Sequence, residues 1–241
     1  MEAERSDEAE ETTMRDSDHT SLNAIRLSQR RSQRDSGRKR SGERGVSILE
    51  FALIVIPMVF MLFGVVVIGV DLGRAVQVAQ IARDADSMFS RGVPFYSTSA
   101  QNFLIQLGQN MNLQSSGGDG LVILSKIQSI PDTTVCGAPG SANYSTCTTY
   151  TNALVQRIQI GNTAISGSAT RFPTAGTVTY DSLDQVNNYL TNTNAVVPNF
   201  SSSLALQPNE ISYVAEAYFQ TNTVSLGVIQ TSPGIYAQAF F

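Results

Sequence analysis

Few side chains in this 241-residue chain have the type and spacing to do chemistry, and the clearest group lies at a polar–apolar junction. The junction reads Arg44-Gly45-Val46-Ser47-Ile48-Leu49-Glu50-Phe51. Glu50 is a carboxylate at the head of an apolar run, where burial in lipid costs up to a few kcal/mol. A place near the membrane interface, complementing the helix N-terminal dipole, accounts for it without any function. A cut after Gly45 would do more: Val46 would gain an α-ammonium group four residues from Glu50, able to neutralise that carboxylate in a packed helix bundle. Cys136 and Cys147, the only cysteines, share one Gly/Ser/Thr/Asn-rich connection. An oxidising compartment favours a disulfide that closes this loop, worth roughly 2–3 kcal/mol, with two free thiols as the other reading.

The remaining candidates point away from catalysis. The sole histidine, His19, sits in the polar N-terminal stretch, which excludes a Ser-His-Asp or Cys-His centre. The loop Ser115-Ser116-Gly117-Gly118-Asp119-Gly120 lacks the Lys-Ser/Thr ending of a phosphate-binding loop. Asp181 and Asp184 read as capping residues of a short helix. Glu210 and Glu216 read as exposed carboxylates sharing one face of a strand. Two cysteines need two further ligands to hold zinc, and His19 is in the opposite compartment, so neither metal nor cofactor is expected.

Three unlike regions position these residues. Residues 1–45 hold ten acidic and ten basic side chains, acidic over 1–20 and basic over 21–45, without the apolar periodicity of a fold. They are expected to be a disordered leader. Phe51–Val70 is twenty residues without a charge, enough at about 1.5 Å per residue to cross roughly 30 Å of hydrocarbon. It is longer than the apolar part of a secretory signal peptide and leads into Asp71-Leu72-Gly73-Arg74 rather than a small-residue cleavage site. Basic residues cluster before the span, which places the N-terminus in the cytoplasm and the C-terminal region outside. Topology and anionic lipid explain the basic run better than nucleic acid does.

The segment RGVSILEFALIVIPMVFMLFGVVVIGVDLGRAVQVAQIARDA resembles the N-terminal region of TadE-like proteins of the tight-adherence (Tad, type IVc, Flp) pilus system. The shared pattern is Arg-Gly, then Glu-Phe-Ala-Leu, a proline some six residues on, an apolar run and an Ala-rich helix. The resemblance implies that a prepilin peptidase cuts between Gly45 and Val46, with Glu50 and Phe51 as the recognition pair. It implies a minor pilin (pseudopilin) or assembly component in the bacterial inner membrane, partnered by the peptidase and other pilin subunits, and able to be extracted into a pilus. It implies no small-molecule substrate. TadG-like relatives share the segment and remain anchored, so a single-pass envelope protein with an outer binding or adhesion domain is the alternative. Pro57 falls inside the span, where it removes one hydrogen bond and kinks the helix. Gly69 and Gly73 have the spacing of close helix packing but lie at the membrane edge.

Beyond the span, Ala75, Ala79, Ala82, Ala85 and Phe89 recur at helical spacing, and Gly92 and Pro94 stop the helix. Residues 46–70 are thus expected to cross the membrane, 71–91 to continue the helix outside, and 97–241 to form an exported domain. Within it, 103–111 reads as a short helix and 181–190 as a short capped one. Strands are expected over 121–130, 153–160 and 210–221, with edge strands over 225–229 and 235–241. The fold class is α+β: a long N-terminal transmembrane helix entering a pilin-like domain, its antiparallel sheet carrying helices on one side.

Overall fold

The computed structural model describes residues 7–165, 170–221, 225–226, 229–230 and 234–241, with side chains described for 47–165, 170–221 and 234–241. The expectations for Gly45, Val46 and His19, and the charge pattern of residues 1–45, concern side chains outside that set. The chain divides into two compact units, Met1–Val66 and Val67–Phe241. Helix α1, Asp7–Ser90, contributes to both. Its backbone is therefore helical even where the sequence predicts no fold.

In the second unit, α1 buries Val78, Ile81, Ala82, Ala85, Asp86 and Phe89. The spacing of three and four residues is that of one helix face. Ala82, Ala85 and Phe89 belong to the predicted stripe, while Ala75 and Ala79 lie at its half-buried margin. The stripe covers a four-stranded antiparallel sheet of order β2-β1-β3-β6: β1 Gly120–Pro131, β2 Tyr150–Gly161, β3 Ile211–Gln220 and β6 Gly234–Phe240. The alternation of apolar residues and the β-branched content predict the three long strands to within about three residues at each end. The expected strand over 225–229 is instead part of a separate small hairpin, β4 Ser225–Leu226 with β5 Ile229–Gln230. Helix α2, Thr98–Leu107, starts before the expected 103–111, and a 3-10 turn follows at Gln109–Met111.

Two cores lie on opposite faces of the sheet. On the helix side, Val78, Ala82, Ala85 and Phe89 join Val122 and Leu124 of β1, Ile158 and Ile160 of β2, and Ala215 and Ala217 of β3. On the other side, Ile127, Leu154 and Val214 meet Phe172, Val186 and Phe200 from the long connection between β2 and β3. Phe172 and Phe200 stack edge to face at 5.2 Å. Among the described residues this second layer is largely irregular chain with two short 3-10 turns, Thr193–Ala195 and Phe200–Ser202, and it makes β1 and β3 buried on both faces.

The predicted helix over 181–190 is absent. Asp184 and Asn188 have positive φ, 58° and 54°, which no helix interior accommodates. The segment pairs along the edge of β2: Val186 N–H donates to the Val155 carbonyl, and Arg157 N–H donates to the Asp184 carbonyl. The Asp181 carboxylate does accept backbone N–H groups, from Leu183 and Gln185, but it closes a turn rather than starting a helix. This turn covers an edge strand that would otherwise present unpaired backbone groups.

Candidate functional site

The first site is the apolar stretch of α1. Among the described residues, Ser47–Ser90 is the one helix long and apolar enough to cross a membrane, and its most apolar window has no buried residue. Ile48, Phe51, Leu53, Phe60, Met61 and Val65 are all exposed, and their positions run around the whole helix circumference. Water does not stabilise such a surface; lipid or other helices do. Glu50 is exposed at its N-terminal margin. Pro57 lies inside α1, and the helix continues through it. Gly69 and Gly73 face open space and make no close approach among the described residues.

Cys136 and Cys147 form a disulfide, with Cα atoms 5.7 Å apart. Local structure brings them together. Asp132 caps the short helix α3, Thr133–Cys136, by accepting the Thr134 N–H at 2.9 Å, and its own N–H donates to the Thr149 carbonyl beyond the second cysteine. The bridge therefore closes a loop whose stem is already fastened.

Two buried acids escaped the sequence reading. Glu210 and Glu216 are not a pair of exposed carboxylates on one strand face. Glu210 precedes β3 and accepts the Gln207 N–H at 2.6 Å, whereas Glu216 is only 2% exposed. The second chain layer covers Glu216 and satisfies it. Its carboxylate accepts the Arg171 N–H and the Tyr236 hydroxyl, each at 2.7 Å, and the Thr170 hydroxyl. The Arg171 guanidinium lies over the Tyr236 ring at 4.6 Å. Burial, and then the charge of Glu216, push the Tyr236 hydroxyl well above the usual phenol range. On the same face Arg157 donates to the Ser125 hydroxyl and to the Phe172 carbonyl, and burial lowers its pKa. With its acceptors occupied, Glu216 works as a staple between the connection and the sheet.

Asp86 is the opposite case. It lies on the buried stripe of α1, four residues after Ala82 and three before Phe89, and is 1% exposed. Among the described residues neither carboxylate oxygen has a hydrogen-bond partner. Burial pushes its pKa from 3.8 to about 7. A charge placed on an otherwise apolar helical stripe was the signal available in the sequence. Comparison of the chain with protein families, curated proteins and solved structures returns no match.

Proposed function

We propose that the protein is a TadE-like minor pilin or membrane-anchored assembly component of a Tad-type pilus, non-catalytic and working by helix packing. The observation that carries this reading is the change of character along one helix. α1 is uncharged and largely exposed from Phe51 to Val70, then buries a single stripe from Val78 to Phe89 against its own sheet. A subunit stored in a membrane and later packed against other helices needs both segments. The N-terminus is cytoplasmic, the sheet domain lies outside the inner membrane, and a prepilin peptidase cuts between Gly45 and Val46. Glu50 then meets the new ammonium group of Val46, on its own or a neighbouring subunit.

N-terminal sequencing of the mature protein tests the processing step: Val46 as first residue supports it, and an intact leader sinks it. Replacing Glu50 by Ala should leave membrane insertion unchanged and reduce recovery of the protein in assembled complexes. Normal assembly of that variant would remove the charge-neutralising role. The second reading, a permanently anchored envelope protein with an outer binding domain, draws support from an open cleft in the sheet domain.

A further inference from the structure

On the helix side of the sheet the cross-strand rows beneath α1 are apolar. The row at their end is not. Lys126 of β1 stands opposite Gln156 of β2 and Tyr213 of β3. Directly after it the β1–β2 register slips at Lys126/Ile127, which leaves Val155 as an extra residue on β2. Bulges of this kind re-aim side chains beside sites. Because α1 ends at Ser90, the turn that follows it borders this row in place of the helix, leaving a cleft of about 200 Å³.

The polar groups in the cleft are largely unspent. Among the described residues the partner of the Lys126 ammonium is the Tyr213 ring, 5.7 Å to its centre, and no carboxylate pairs with it. Gln156 donates its amide to the Leu183 carbonyl at 2.6 Å, which leaves its side-chain oxygen available. The Gln185 side chain also lines the cleft and makes no hydrogen bond among the described residues. Phe89, Tyr96 and Tyr213 supply ring surface, with Tyr96 exposed at the rim.

We propose that this cleft binds a single carboxylated sugar residue, with Lys126 holding the carboxylate and the glutamines and tyrosines holding the hydroxyl-bearing ring. Size sets the upper limit: a cavity of ~150 Å³ accepts benzene, so this one takes one six-membered ring with a carboxylate and no second ring inside. Charge selects the anion. One lysine, a point charge without an arginine fork beside it, matches a monoanion better than a phosphate dianion. The amides and phenols select hydroxyl groups, because each amide can both donate and accept, whereas a plain aromatic acid leaves them unpaired. The inference rests on the sheet domain alone and holds whether or not the chain is cut after Gly45.

The test is titration of the full chain, in a detergent without sugar headgroups, with glucuronate, glucose and benzoate, read by calorimetry and ligand-detected NMR. Saturable glucuronate binding in the millimolar range is expected, with glucose and benzoate each about tenfold weaker or more. Lys126→Gln should weaken glucuronate about tenfold and erase its advantage over glucose. Gln185→Ala, at an exposed position, should weaken it severalfold without disturbing the fold. Rising salt should weaken glucuronate and leave glucose unchanged in the wild-type protein. Absence of saturable glucuronate binding overturns the proposal. So does equal binding of glucose or benzoate, or a Lys126→Gln protein that is folded and binds glucuronate as the wild type does.

Discussion

Replacing Asp86 by Asn probes the seam between α1 and the sheet at a buried carboxylate that has no partner among the described residues. A carboxyl whose pKa rises from 3.8 to about 7 on burial costs the fold about 4 kcal/mol once it is ionised, at about 1.36 kcal/mol per pKa unit. The sign follows from proton binding. Below about pH 4 both folded and unfolded chains hold the proton and no cost arises. Between about 4 and 7 the unfolded chain has lost the proton that the fold keeps, so stability falls by about 1.4 kcal/mol for each pH unit. Above about 7 the fold carries the full cost. Asparagine has the same shape and no charge, and its unpaired amide retains about 1–2 kcal/mol of desolvation, as the protonated carboxyl does, so the two costs cancel. The variant should therefore be equal to wild type, within about 1 kcal/mol, at pH 4 and about 4 kcal/mol more stable than it at pH 8. Denaturant unfolding of the full chain in micelles, followed by near-ultraviolet tyrosine signals, gives both values as midpoint shifts at constant slope. The difference between variant and wild type cancels the titration of the other carboxylates. A difference independent of pH, or an Asp86→Asn protein less stable at pH 8, would refute the reasoning.

Glu216→Ala should lower stability by about 3 kcal/mol, because it strands the Thr170 and Tyr236 hydroxyls and the Arg171 N–H inside the fold. Tyr236→Phe should cost about 1 kcal/mol by the same measurement, and a cost as large as that of Glu216→Ala would mean the carboxylate is not the hub. Replacing Cys136 and Cys147 by Ser should cost roughly 2–3 kcal/mol. In the wild-type protein, unchanged gel mobility on reduction together with two alkylatable thiols before it would contradict the disulfide.

Some of this protein is legible from local sequence because the physics involved is local. The twenty uncharged residues Phe51–Val70 mark a candidate span through length and composition alone. The runs around Val122, Leu154 and Val214 mark strands through alternation and branching. Cys136 and Cys147, eleven residues apart, pair across a connection too short to separate them. Gly92 and Pro94, two and four residues after Ser90, announce the end of α1.

Tertiary structure decided what depends on distant chain. The stretch 181–190 has the composition of a capped helix, yet the edge of β2 offers it backbone partners at Val155 and Arg157, and those bonds outweigh a weak helical preference. Glu216 is buried because residues 170–172, more than forty positions earlier, fold over it and fill its acceptors. No strand periodicity encodes a cover that arrives from elsewhere. Asp86 could be placed on the α1 stripe from spacing alone, but its lack of a partner among the described residues depends on what the sheet presents to it. The row Gln156–Lys126–Tyr213 arises only from the register of three strands. Composition and period thus determined which segments form elements, whereas burial of charge and convergence of polar groups waited on packing, since both are properties of neighbours that the chain brings from far away.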